Sequence, residues 1–176
     1  MQDDPYPDDT LPGRVHKGRG AVGNPAPRYD RLTEQAVDDG WVREEGDEPP
    51  LRTTVLPDTA RSLICRNDSP DIPLEQSINP YKGCEHGCVY CFARPNHAYL
   101  SLSPGLDFET RLFAKFNAPA LLDAELRSPR YRCRPIALGT NTDAYQPVER
   151  ELRITRGLWE VLSAFNHPAA LVTKSA

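Results

Sequence analysis

The 176-residue chain carries 21 Lys and Arg against 25 Asp and Glu, a net charge of −4, and 18 Pro, about twice the ordinary usage of about 5%. That balance excludes a global electrostatic pull on nucleic acid, so contact with a phosphate backbone would need a local basic patch. No run approaches the ~18 consecutive apolar residues of a membrane span, and Met1-Gln2-Asp3-Asp4-Pro5 lacks the positive and apolar regions of a secretory signal; a cytoplasmic protein with no membrane partner is expected.

Residues 1–50 hold 12 acidic and 6 basic side chains, with Pro and Gly at close intervals and few large apolar residues. Too little apolar surface is available there to offset the entropy of ordering. The reading is a disordered acidic, Pro/Gly-rich tail. Within it, Arg14-Val15-His16-Lys17-Gly18-Arg19-Gly20 could touch a phosphate backbone or could simply be solvated.

Order is expected over 51–176. Residues 53–56 and 62–65 read as short strands separated by Pro57-Asp58, and 72–78 as a third that runs into the turn Asn79-Pro80-Tyr81-Lys82-Gly83. Residues 102–108 read as loop, with Ser103-Pro104-Gly105 as a turn. Over 111–116, Leu112, Ala114 and Phe116 alternate onto one face of a strand. Asn117 is a good N-cap for a helix to about Arg127, with Pro119 in its first turn and Ser128-Pro129 as its stop.

Residues 135–140 form the short apolar run of a buried strand. Residues 149–165 are the clearest helix: Ile154, Leu158, Val161, Leu162 and Phe165 make one apolar stripe, stopped by Asn166-His167-Pro168. Another buried strand is expected at 169–173. Strand, helix, strand in that order implies parallel pairing and an α/β fold class. A parallel sheet that stopped so near the last residue would leave an apolar edge, so the chain is expected to be the N-terminal part of a larger protein.

The chemistry lies in Cys84-Glu85-His86-Gly87-Cys88-Val89-Tyr90-Cys91, which places three of the five cysteines within eight residues. That is a metal-site spacing for a reducing compartment, not a secreted disulfide framework. Thiolates favour zinc, copper(I) and iron–sulfur clusters. Gly83 and Gly87 let the backbone wrap a bulky group and aim amides at it. Structural zinc wants four ligands, and His86, His97 or Cys65 could supply the fourth; a cubane held by three leaves one iron open. Three unrelated buried cysteines fit poorly with so polar a segment. Cys65 and Cys133 are read as small buried apolar residues.

Cys84-x3-Cys88-x2-Cys91, with the aromatic Tyr90 before the last cysteine, resembles the signature of the radical S-adenosylmethionine superfamily. The wider text, Asn79-Pro80-Tyr81-Lys82-Gly83-Cys84 through Cys91-Phe92-Ala93-Arg94 and His97-Ala98-Tyr99, resembles its spore photoproduct lyase branch. The likeness covers roughly 53–176. It implies a partial, apparently truncated (β/α)6 TIM-like barrel whose first strand leads into the cluster loop at 80–91. It implies a [4Fe-4S] cluster on Cys84, Cys88 and Cys91, with S-adenosylmethionine chelating the fourth iron. Reductive cleavage of that cofactor would yield a 5′-deoxyadenosyl radical that abstracts a substrate hydrogen, as in a lyase-like enzyme. The electron would come from a reductant protein such as a flavodoxin or ferredoxin.

The same resemblance implies that the Tyr90 backbone meets the adenine, that Thr142 and Asp143 lie near the methionine amino group, and that Lys174 approaches its carboxylate. Read without it, Asn141-Thr142-Asp143 is an ordinary loop and Lys174 a solvated chain end. One departure counts against thymine-dimer repair: the hydrogen-returning cysteine of those lyases aligns with Thr140, and Cys133 is out of register. The substrate therefore stays open, nucleic acid included, although the net charge gives that partner no support. The alternative is a zinc-binding or nucleic-acid-binding module without catalysis.

Overall fold

The computed structural model describes residues 18–29, 51–68 and 74–175. Two small mixed sheets carry these residues. One orders as β1 (Thr54–Pro57), β5 (Arg111–Ala114) and β4 (Tyr81–Lys82), with β1 parallel and β4 antiparallel to the central β5. The other orders as β2 (Cys65–Arg66), β3 (Gln76–Ile78), β6 (Ile136–Leu138) and β7 (Ala169–Leu171). Here β3, β6 and β7 run parallel, and β2 closes one edge antiparallel to β3. The fold is mixed α/β, and among the described residues no closed barrel forms.

The helices are α1 (Leu106–Thr110), α2 (Ala118–Leu126), α3 (Glu149–Leu152) and α4 (Ile154–Ala164), together with a 3-10 helix at Arg94–Leu100. None is long and apolar enough to cross a membrane among the described residues. The core joins Ile78, Leu112, Ile136 and Leu138 of the strands to Leu122 of α2 and Leu158 and Leu162 of α4. Every residue of β6 is buried, as a central parallel strand requires. Helices α2 and α4 cross closely at Gly157, where a Cβ would stand 2.8 Å from Pro119 Cγ.

Several expectations hold with shifted ends. The strand expected at 111–116 ends at Ala114, the helix after Asn117 spans Ala118–Leu126, and the strands at 135–140 and 169–173 shorten to β6 and β7, parallel as expected. The strand expected over 72–78 is ordered as β3, and 69–73 lie outside the described residues. Asn117 does not cap α2 with its side chain; its amide donates to the Ala60 carbonyl.

Three expectations are corrected. Residues 102–108 are not all loop, because α1 begins at Leu106, with Asp107 turned back to accept the Ser103 N–H. The helix over 149–165 is two helices. Arg153 adopts a left-handed φ of 53°, and the Glu149 carboxylate accepts the Arg156 N–H in the first turn of α4. The same buried carboxylate also accepts the Tyr81 hydroxyl. Cys65 and Cys133 are both exposed rather than buried. Cys65 sits on the edge strand β2 and Cys133 on the link before β6, where little packs over either.

Of the expected tail, 1–17 and 30–50 lie outside the described residues. Residues 18–24 lie on the body: Gly23 accepts the Leu106 N–H, and the Asn24 side chain accepts that of Asp107.

Candidate functional site

Because β3, β6 and β7 are parallel, their C-terminal ends face one rim, the usual place for ligand chemistry in such sheets. After β3 the chain turns through Asn79-Pro80 into β4 and delivers Gly83 and Cys84 to that rim. Gly83 holds φ +78°, and a Cβ there would stand 2.7 Å from Leu112 Cδ2 and 3.0 Å from the Phe108 carbonyl. The Cys84 N–H donates to that same carbonyl at 2.9 Å.

Beyond Cys84 the loop is held by buried polar partners. Glu85 is 8% exposed; its N–H donates to Gln146, and its carboxylate accepts Val148 N–H at 2.6 Å and the Thr53 hydroxyl at 2.5 Å. Gly87 N–H returns to the Cys84 carbonyl and Cys91 N–H to that of Cys88, two successive tight turns. Arg94 clamps the far side. Its guanidinium donates to Cys88 O at 2.9 Å and Gly87 O at 2.8 Å, and it pairs with the fully buried Glu109 at 2.5 Å.

All five cysteines are free thiols. Cys84 is buried, and burial pushes its thiol up to about 11, against the lowering effect of backbone N–H groups from Asp143 and His86 that point at its sulfur. Cys88 and Cys91 are half-buried. The Lys174 ammonium donates to Cys88 Sγ at 3.1 Å, and that contact holds its pKa above the usual lysine value.

The segment after β6 completes the rim. Asp143 accepts N–H groups from Tyr145 and Lys174 and the Thr173 hydroxyl, each at 2.8 Å. Its other neighbour is His86 Nε2, at 3.4 Å and without hydrogen-bond geometry. One carboxylate therefore ties the β6 end to the β7 end beside the cysteine loop. A cavity of about 190 Å³ opens nearby, lined by Lys82, Gly83, Asn96, His97, Asn141 and Thr142.

The structure brings Cys84, Cys88, Cys91, Asp143 and Lys174 to one place, although they come from three separate segments. It turns the Thr142 hydroxyl inward, to the Tyr81 carbonyl at 2.7 Å, and leaves the Tyr90 side chain 81% exposed. Among the described residues no three His, Cys, Asp or Glu side chains converge tightly enough to hold a metal ion. The donor chemistry nevertheless suits an anionic sulfur-bound group: three free thiols on one loop, amides aimed at one and a lysine ammonium at another. The fourth zinc ligands considered above are placed otherwise. His86 faces Asp143, His97 Nε2 meets the Arg111 carbonyl, and Cys65 lies on β2.

Uncharacterized proteins of Mycobacterium bovis and Mycobacterium tuberculosis are 45% identical to this chain over 122 residues, which is 66% of this chain. The chain spans 36% of the length of these curated relatives. No family model matches the chain, and no solved structure matches it.

Sequence reasoning did not find Glu85, Arg94, Glu109 or Gln146. Arg94 follows the last cysteine by three residues, a weak signal. Glu109 lies just past a stretch that reads as loop, and only its depth of burial marks it.

Proposed function

We propose that this chain is the cluster-binding part of a radical S-adenosylmethionine enzyme, with β3, β6 and β7 as the first three strands of a partial (β/α)6 barrel. The observation that carries the reading is the meeting of the cysteine loop with Asp143 and Lys174 at the ends of parallel strands. Cys84, Cys88 and Cys91 would hold a [4Fe-4S] cluster. When bound, that cluster supplies the electron for reductive cleavage of the S–C5′ bond of S-adenosylmethionine.

The chain's own residues bind and orient. Lys174 offers a compact cation on a flexible stem, suited to the carboxylate of a bound amino acid. Asp143 offers an acceptor for the amine. Thr142 contributes by fixing the segment after β6 to the Tyr81 carbonyl, rather than by touching ligand with its hydroxyl. Arg94 steadies the loop by donating to the Gly87 and Cys88 carbonyls. The electron would come from a small reductant protein of the flavodoxin or ferredoxin kind.

Anaerobic reconstitution with iron and sulfide tests the reading. The wild-type chain should turn brown and carry near-stoichiometric iron and sulfide, and Ala at Cys84, Cys88 or Cys91 should abolish both. A colourless chain that takes up one zinc in preference to iron contradicts it, as does equal damage from Cys65→Ala.

A further inference from the structure

We infer that residues 19–21 are a positioning strap for the cysteine loop, acting through Glu109 and Arg94. Glu109 has no exposed surface, and an isolated carboxylate at that depth is strongly disfavoured. Three successive backbone N–H groups wrap it: Arg19 at 2.6 Å, Gly20 at 3.2 Å to both oxygens, and Ala21 at 2.8 Å. That is the anion nest formed by consecutive amides, here closed on a carboxylate of the same chain. The remaining charge partner is Arg94, whose guanidinium also holds the Gly87 and Cys88 carbonyls. The chain of contacts thus runs from strap to carboxylate to guanidinium to cysteine loop.

The Arg19 side chain makes a second tie. It donates to the Glu109 carbonyl, to Thr53 Oγ1 at 2.8 Å and to Glu85 Oε1 at 3.4 Å. Glu85 stands between Cys84 and His86, so the strap reaches the loop at its first cysteine as well as at its second. Contact is also direct. A Cβ added at Gly20 would collide with the Gly87 carbonyl, whereas one at Gly23, three residues on, would meet nothing within 4 Å. The segment that composition alone assigns to a solvated tail is therefore a wall of the candidate site. Its functional consequence rests on the cluster reading; the mechanical claim does not.

The test compares Gly20→Ala and Arg19→Ala with Gly23→Ala in the full chain, first without metal and then after iron and sulfide reconstitution. Hydrogen exchange of the Gly87 and Cys91 amides reads the loop itself. Gly20→Ala and Arg19→Ala should speed exchange at both by about tenfold or more, the scale of a lost charge-assisted hydrogen bond, while Ile136–Leu138 amides keep their wild-type rates. Gly23→Ala should behave as wild type. Reconstituted Gly20→Ala should hold less than half the wild-type iron. Unchanged exchange at Gly87 and Cys91 in both strap variants overturns the inference, as does an equal effect from Gly23→Ala. If the wild-type chain takes up no iron while the exchange effect is present, the strap stands and the cluster reading fails.

Discussion

The Lys174 ammonium stands 3.1 Å from the Cys88 sulfur, although 86 residues separate them in sequence. Asp143 makes the meeting possible, because it accepts the Lys174 N–H and Thr173 hydroxyl and so fixes the chain just past β7.

Lys174→Ala should leave iron and sulfide content near wild type and weaken the apparent affinity for S-adenosylmethionine by about tenfold or more, as expected for a lost charge-assisted contact. Isothermal titration of the reconstituted protein reads the affinity, and iron analysis of the same sample reads the content. Loss of iron in step with affinity would assign Lys174 to the loop's structure instead.

The thiols should differ in reactivity in the metal-free chain. At neutral pH Cys84, buried and with its thiol pushed up to about 11, is protonated and inaccessible. Iodoacetamide should label the exposed Cys65 and Cys133 first, Cys88 and Cys91 next, and Cys84 last. Peptide mass spectrometry against time checks the order. Early labelling of Cys84 contradicts the burial.

His97 should make stability pH-dependent. Burial lowers its pKa below the ordinary 6.5 and leaves it neutral, with Nε2 against the Arg111 carbonyl. Below about pH 6.5 the unfolded chain then binds a proton that the folded one does not. Stability should therefore fall as pH drops through that value and recover as pH rises. Thermal midpoints of wild type and His97→Gln across this window check it: the variant should show the shallower dependence.

Leu158→Ala should destabilise the fold by about 2–5 kcal/mol, the range for deleting a large side chain from a close-packed core. Leu158 is fully buried in α4 among residues of α2 and the strands. A urea titration reads it, with unchanged slope and a lower midpoint.

What the sequence made legible follows from which interactions are local. Ile136, Leu158 and Ala169 belong to short apolar runs or one helical stripe, so β6, α4 and β7 and their parallel pairing could be read from pattern alone. The three cysteines could be read from residue type and spacing. The helix break at Arg153 could not, because the apolar stripe runs on past it and the Glu149 carboxylate that accepts the Arg156 N–H is also held by Tyr81, 68 residues away. Nor could the role of 19–21, since Glu109 lies 90 residues from Arg19 and nothing near either marks the pair. Exposed Cys65 and Cys133 show the same limit: a cysteine's usual preference for burial does not say what packs over it.

In the proposed site, the cysteine loop, Asp143 and Lys174 together hold a cluster with an open iron. Electron paramagnetic resonance of the reduced, reconstituted full chain tests it most directly. Adding S-adenosylmethionine should shift the cluster signal, and the Lys174→Ala chain should need more of it for the same shift. A spectrum that does not change in a protein shown to carry the cluster would contradict the claim.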